Sequence, residues 1–365
     1  GGAAMCLLSP FGESGGRSVP LISLQGPDGL ALEAIGYGAA LRRLTVPDSG
    51  GRPTDVCLGY DTLREYEEQD GCLGAVVGRC ANRIAGAALP VGGTVFPLAA
   101  NEGPNTLHSG PSGFHRRIWE VYELSGRSVT FRLFSPHLDG GFPGNLEARV
   151  TYALLEGRRL SISYEAVCDR DTVVNLTSHS YWNLSGHQSG AALSQLLTLY
   201  ASRYTPAGPD GIPTGALESV AGSALDFTRS TALGERIDDP LLAAARGYDH
   251  NYALPAQGLR PAARLESLRT GISMELSTTL PGLQLYTANY LTERPGKDGA
   301  VYRERDGVCL ETQFYPDAVH HPGFPSPMLR AGERYCHRSE YRFSLLGQEP
   351  AFTGESRRNL LDKAP

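Results

Sequence analysis

Lysine is nearly missing from this 365-residue chain: Lys297 and Lys363 are the only two, and arginine carries the rest of the positive charge. That scarcity reads as composition, not function. With a formal net charge of −6, the chain also lacks the basic face that nucleic acid or an anionic membrane surface demands. No apolar run approaches the ~20 residues of a membrane span. No charged start followed by an apolar stretch marks a secretory leader. The cysteines (Cys6, Cys57, Cys72, Cys80, Cys168, Cys309 and Cys336) form no C-x-x-C and no regular spacing. Reduced thiols in a cytosolic protein fit that pattern better than a disulfide framework. Asn175-Leu-Thr and Asn183-Leu-Ser match the glycosylation sequon, but so short a pattern arises by chance and nothing else suggests secretion.

Several chemistries are excluded by missing motifs. The chain has no G-x-x-x-x-G-K-[ST] phosphate loop, no G-x-G-x-x-G dinucleotide turn, no G-x-S-x-G nucleophile elbow and no H-E-x-x-H metal helix. A cofactor-free enzyme or a binding protein remains.

What is present is turn chemistry and alternation. Glycine (44) and proline (25) are spread throughout, and short period-two runs lie between them. Val129–Ser135 alternates, as do Leu160–Ala166 and Ile272–Ser277, the signature of half-buried strands. Leu160, Ile162, Tyr164 and Ala166 share one face. Helical patterns are scarce, with short candidates at Asp61–Gln69 and Pro240–Arg246. The fold class is therefore all-β, a large antiparallel sandwich or barrel with few short helices, and not alternating βαβ. A length prior suggests two domains, but large all-β units run as one. Residues 5–352 are expected to form a single domain. Residues 1–4 read as an added remnant, and residues 353–365 as a flexible tail. Polar, turn-rich stretches at 205–245 and 291–307 predict long loops of the kind that often carry function.

Catalytic-type side chains recur in segments too specific for solvated loops. Gly78–Ile84 sets Asn82 and Arg83 among small and apolar residues; alone, it suggests a structural arginine paired with a carboxylate. Asn101–Gly110 fixes a turn that presents His108. "SHSYWNLSGH", residues 178–187, carries His179 behind a strand-like run. Gly247–Tyr252 contains Asp249, and Pro281–Asn289 puts Gln284 and Tyr286 on one face. Val308–Asp317 contains Glu311 behind an apolar run. A buried glutamate must be paired, protonated or working, and a histidine facing it across a cleft would complete an acid–base pair. His115, His187 and His337 lack partners nearby in sequence. The tandem His320-His321 reads as a surface pair, pointing to opposite faces if on a strand.

Taken together these segments resemble the aldose 1-epimerase family. "YGAALRRLTVPDSGGRPTDVCLGYD", "GRCANRIAGA", "NEGPNTLHSG", "GFHRRIW", "VNLTSHSYWNLSG", "GYDHNY" and "LETQFYPDAVHHPGFPSPMLRAGERY" follow in family order from about Leu21 to Phe343. The resemblance implies a large twisted antiparallel β-sandwich in one domain, interconverting the anomers of a free aldose without metal or organic cofactor. It implies Glu311 as general base, His179 as general acid, and His108 assisting from the opposite turn, where a protonated ring would stabilise charge on the ring oxygen. Asn82, Arg83, Asp249 and Gln284 would hold sugar hydroxyls, with Ser180 and Tyr181 lining the pocket. Trp182 fits the core better, because alternation points it with Ser180 and away from Tyr181. A cytoplasmic monomer is expected.

The chain departs from the family pattern at Cys80, Ser109, Ser178 and Leu280. These differences are expected to retune the pocket or its surroundings. Two other functions compete. A hexose-phosphate epimerase would need clustered cations, for which Arg303 and Arg305 are loop candidates. A non-catalytic sugar-binding protein would lack the proton carriers, yet His108, His179 and Glu311 all stand.

Overall fold

The computed structural model describes residues 6–348. Residues 1–5, with the expected remnant at 1–4, and everything from 349 onward, with the expected tail, lie outside the described residues. The strand reading holds. Leu160, Ile162 and Tyr164 are fully buried and Ala166 nearly so, as are Ile272, Met274 and Leu276. Burying each large side chain of this kind stabilises the fold by ~1.5–3 kcal/mol.

These strands belong to a nine-stranded antiparallel sheet. Its order is Glu120–Ser125, Ser128–Ser135, Leu146–Leu155, Arg159–Cys168, Arg334–Leu345, Ile272–Thr278, Arg260–Glu266, Leu196–Leu199 and Thr231–Ala232. Two five-stranded sheets face it. One runs from Cys6–Ser14 to Pro53–Asp55 in simple sequence order. The other has the order Glu218–Ser219, Arg203–Tyr204, Asp249–Ala253, Gly282–Tyr286 and Cys309–Gln313. A continuous apolar core takes side chains from all three: Phe131, Val150 and Ile162 from the large sheet, Ile22 and Leu41 from the first small sheet, Leu283 and Leu310 from the second.

Helix is scarce, as expected. Leu63–Glu68 is an α-helix, started by Thr62, whose hydroxyl accepts the Glu65 N–H. The second expected helix is a 3-10 turn, Pro240–Ala245, capped by Asp239. The 205–245 and 291–307 stretches are largely irregular, broken by two-residue ribbon strands. All seven cysteines are unpaired. Asn175 and Asn183 are buried and their amides bond to backbone carbonyls, so neither sequon presents an acceptor. Trp182 is a core residue, packed 5.1 Å from the Tyr341 ring. His320 and His321 do not lie on a strand. A short turn over Ala318–His320 brings both rings to the Asp317 carboxylate.

Candidate active site

Three strands of the second small sheet build the floor of a cleft through their register. Asn251, Gln284 and Glu311 lie directly opposite one another, and Asp249, Tyr286 and Cys309 form the next row. Residues in register or two apart share a face, so both rows point the same way. The intervening residues Tyr252, Leu283, Leu285 and Leu310 point into the core. Gly247 lets the Asp249 strand start: a side chain there would meet Asn289 Oδ1 at 2.4 Å, and that amide is committed to the Ala245 and Tyr248 carbonyls.

The histidines come from turns knitted to this floor. Thr177–Ser178 pairs with Val76–Val77. The His179 N–H then donates to Ala75 O at 2.9 Å, and Trp182 N–H to Val308 O at 2.8 Å. His108 follows Thr106–Leu107, which pairs with Arg83–Ile84. Asn101 brackets Leu107 with both ends of its amide. His108 N–H donates to Asn82 O, and Asn82 N–H donates to His108 Nδ1, each at 3.0 Å.

The result is a cleft of about 450 Å³, within the ~300–1,000 Å³ usual for small-molecule sites. It is lined by His108, His179, Glu311, Asn82, Arg83, Tyr181, Asp249 and Gln284, all expected from sequence. Ser180 is a correction. It does not line the cleft, because alternation turns it away from His179, and its hydroxyl is buried without a partner. Tyr181 stacks on the His179 ring at 5.2 Å, with its hydroxyl committed to Gly71 O.

His179 Nε2 lies 3.3 Å from Glu311 Oε1. The contact is within ion-pair distance but is not aligned as a hydrogen bond, and Glu311 Oε1 is buried with no hydrogen-bond partner. Burial, then the Asp249 charge, pushes the Glu311 carboxyl well above its ordinary range, while Arg83 pulls it down. Burial lowers His179 to about 4, opposed by a backbone hydrogen bond and by Asp249. His179 Nδ1 faces the buried Cys309 thiol at 3.6 Å. Both shifts favour the uncharged forms, a protonated carboxyl beside a neutral imidazole.

The expectation that His108 stays protonated is not met. Its Nδ1 accepts the Asn82 N–H, and burial together with His179 holds it well below the ordinary histidine range. Its ring is therefore neutral, with the hydrogen on Nε2. This bears on metal binding. His108, His179 and Glu311 bring ligand atoms within 4.8 Å of one another, but an Nε2 that carries hydrogen is a donor, not a ligand.

Arg83 is gripped by Glu102 through Nε at 2.5 Å and lies 3.9 Å from Asp249 Oδ2. Gln284 Nε2 donates to Asp249 Oδ1 at 2.8 Å. The carboxylate pairing expected of Arg83 is thus present, and Arg79 of the same segment is held more firmly still, its guanidinium buried among four carbonyls and the Ser135 hydroxyl.

Sequence reasoning missed Glu102, Cys72 and His115, all on the cleft wall. The His115 ring faces the cleft from a 3-10 turn, and no local pattern predicts that. The four departures from the family pattern line no part of the cleft. Ser109 bridges the Cys80 N–H and C=O, Ser178 bonds the Tyr164 hydroxyl, and Leu280 is fully buried. Arg303 pairs with Glu293 outside the cleft, and Arg305 bonds the Arg246 carbonyl. The cations lining the cleft, Arg83 and Arg116, are already engaged, Arg116 by carbonyls at the end of the α-helix.

Comparison with known proteins agrees with this architecture. A family profile described as aldose 1-epimerase matches residues 20–342. The chain is 41% identical to human galactose mutarotase over 339 residues, covering 92% of this chain and 97% of the relative. It is 37% identical to aldose 1-epimerase of Escherichia coli K12 over 333 residues, covering 90% and 96%. A solved aldose epimerase homologue from C. elegans superposes with a TM-score of 0.83 at 31% identity, covering 89% of this chain and 98% of that one. Galactose 1-epimerase from Lactobacillus acidophilus gives 0.81 at 25%, covering 93% and 98%.

Proposed function

The chain belongs to the aldose 1-epimerase family, and from that premise we propose that it interconverts the α and β anomers of free aldohexoses such as galactose and glucose. The observation that carries the mechanism is the approach of His179 Nε2 to the unpartnered Glu311 Oε1 at 3.3 Å on a polar cleft.

Mutarotation requires one proton to leave the anomeric hydroxyl and one to reach the ring oxygen. Glu311, ionised, accepts the first, and His179, protonated, delivers the second. The ring opens to the aldehyde, the bond beside the carbonyl rotates, and closure on the other face reverses both transfers. Burial favours the neutral form of the pair, but moving its single proton from Glu311 to His179 creates the working form without changing net charge. Arg83 favours this shift by pulling Glu311 down, while Asp249 raises both groups, favouring the imidazolium and opposing the carboxylate. Each such proton transfer contributes ~10²–10⁴-fold. The His108 Nε2–H is a fixed neutral donor for the oxygen that gains charge. Asp249 accepts from sugar hydroxyls, while Arg83 and Gln284 donate to them. Tyr181 and Tyr286 offer ring faces to the apolar side of the sugar. Asn82 completes the binding set mainly by holding Arg83 and His108.

No metal or organic cofactor enters this scheme. A cytoplasmic monomer belongs to the same proposal. The unpaired cysteines support a reducing compartment, and no described helix is long and apolar enough to cross a membrane.

Polarimetry on freshly dissolved α-D-galactose tests the reading. The protein should accelerate the rotation change equally with and without EDTA. Glu311→Gln and His179→Asn should each lose roughly 10²–10⁴-fold in kcat. Normal turnover by either variant would remove that residue from its role. Loss of activity in EDTA with recovery on added zinc would replace the metal-free scheme.

A further inference from the structure

The amide of Gln313 is fully buried at the end of the strand Cys309–Gln313, on the same face as Glu311 and just beyond the cleft. Its Nε2 donates to Asn251 Oδ1 at 3.1 Å and to Gln284 Oε1 at 3.0 Å. Its Oε1 accepts from Asn82 Nδ2 at 3.4 Å. Gln313 thus joins the two edges of the cleft assigned to sugar contact.

The polarity of this chain of amides is set at both ends by groups that cannot reverse. At one end the backbone N–H of Arg83 donates to Asn82 Oδ1 at 2.9 Å, so Asn82 must turn its N–H₂ toward Gln313. At the other, the Asp249 carboxylate accepts from Gln284 Nε2 at 2.8 Å, so Gln284 must turn its carbonyl toward Gln313. Gln313 meets both demands, accepting from one side and donating to the other. A flip of any one of the three amides sets donor against donor or acceptor against acceptor.

The fold makes room for this. Gly282 stands opposite Gln313 in the register, and a Cβ there would come within 2.7 Å of Asn251 Oδ1 and 2.8 Å of the Tyr315 ring. The bare backbone leaves the space in which Asn251 reaches Gln313.

We infer that Gln313 is a positioning residue for sugar binding. It lies outside the cleft lining and acts through Gln284 and Asn82, fixing which atoms they turn toward the sugar. With Gln284 held this way, its second N–H is free for a substrate hydroxyl. The inference rests on the cleft being the aldose site.

The test uses the full-length protein and polarimetry on α-D-galactose, with KM and kcat measured separately from pH 5 to 9. The variants are Gln313→Met, of similar length and uncharged, Gln313→Glu, Gln284→Leu, and the double variant Gln313→Met/Gln284→Leu. Gln313→Met should raise KM roughly ten-fold at all pH values while kcat stays within about three-fold. Gln313→Glu should do the same at high pH and recover as pH falls, because the protonated carboxyl regains an O–H to give Gln284. The double variant should lose less than the product of the two single losses. An unchanged KM in Gln313→Met, a pH-independent deficit in Gln313→Glu, or fully multiplicative losses would each overturn the inference. If Gln284→Leu keeps the wild-type KM, the assignment of the cleft falls and the inference with it. A Gln284→Leu deficit beside a normal Gln313→Met overturns the inference alone. Should the introduced carboxyl prevent folding, the Gln313→Met arm and the double variant decide the matter.

Discussion

Two clusters in this molecule are made of the same side-chain types and have opposite characters. His108, His179 and Glu311 bring ligand-type atoms within 4.8 Å of one another, and so do Asp55, His187 and Asp298. The second cluster is saturated. The Lys297 ammonium, fully buried, donates to Asp55 Oδ2 at 2.6 Å and to the Arg42 and Cys57 carbonyls. Arg43 spans Asp55 and Asp298 at 3.1 and 3.0 Å, and His187 is held between the Tyr302 hydroxyl and Asp298. The first cluster leaves one carboxyl oxygen unpartnered, and its three side chains face a cleft. A saturated ionic network holds chain segments together, here the 291–307 stretch against the first small sheet. A buried acceptor left without a donor beside open space is chemistry in waiting.

The sharpest way to break this contrast is to remove the cation. Lys297→Met removes one of the two cations on the buried Asp55 carboxylate and the donor of the buried Arg42 and Cys57 carbonyls. It should destabilise the protein by about 3 kcal/mol, the low end for a broken buried pair because Arg43 remains, read by denaturant unfolding. The kcat of the remaining folded fraction should stay unchanged. Undiminished stability would mean that the network is not structural.

Glu311→Gln should move stability the other way. The folded carboxyl has its pKa raised by burial and by Asp249, so the folded chain keeps a proton that the unfolded chain releases above ~4.3. Stability is therefore fully present below the unfolded value and declines as pH rises toward the folded one. The variant should match wild type near pH 4 and melt about 2–4 °C higher at pH 8. A lower melting point at pH 8 would show Glu311 to be a stabilising group, erasing the contrast.

The smallest effect belongs to Asp298→Asn. Its side chain is 41% exposed, and solvent screens its pairs, so the loss should stay within ~1 kcal/mol. A loss as large as that of Lys297→Met would make the network one cooperative unit.

Much of this was legible in the sequence, for identifiable reasons. Alternation over Leu160–Ala166 and Ile272–Ser277 reports which face enters the apolar core; it does not report that Ser273 and Glu275, on the other face of the second strand, are buried as well. His108, His179 and Glu311 were found through their setting in segments shared with a family. What stayed hidden depends on alignments that no single segment contains. Gln313 is two residues past Glu311, but its role exists only once Gly282 lies opposite and Asn82 arrives from another turn. Ser180 was misplaced because proximity to His179 in sequence outweighed alternation. His108 was assigned a charge because its type suggests one, whereas the backbone N–H of Asn82, 26 residues away, decides its tautomer. Lys297 drew no reading of its own beyond the scarcity of lysine, since nothing near it in sequence reveals that Asp55 awaits it.

Asn251, Gln284 and Glu311 stand abreast on neighbouring strands, like teeth on meshed combs. Exchanging one tooth alters a contact, but inserting or deleting a single residue within any of the three strands would turn its share of the machinery inward and bring core residues, Tyr252, Leu283 or Leu310 among them, out to the sugar. In this stretch of the chain, then, the spacing between residues is under tighter physical control than their identity, and length is the property that cannot drift.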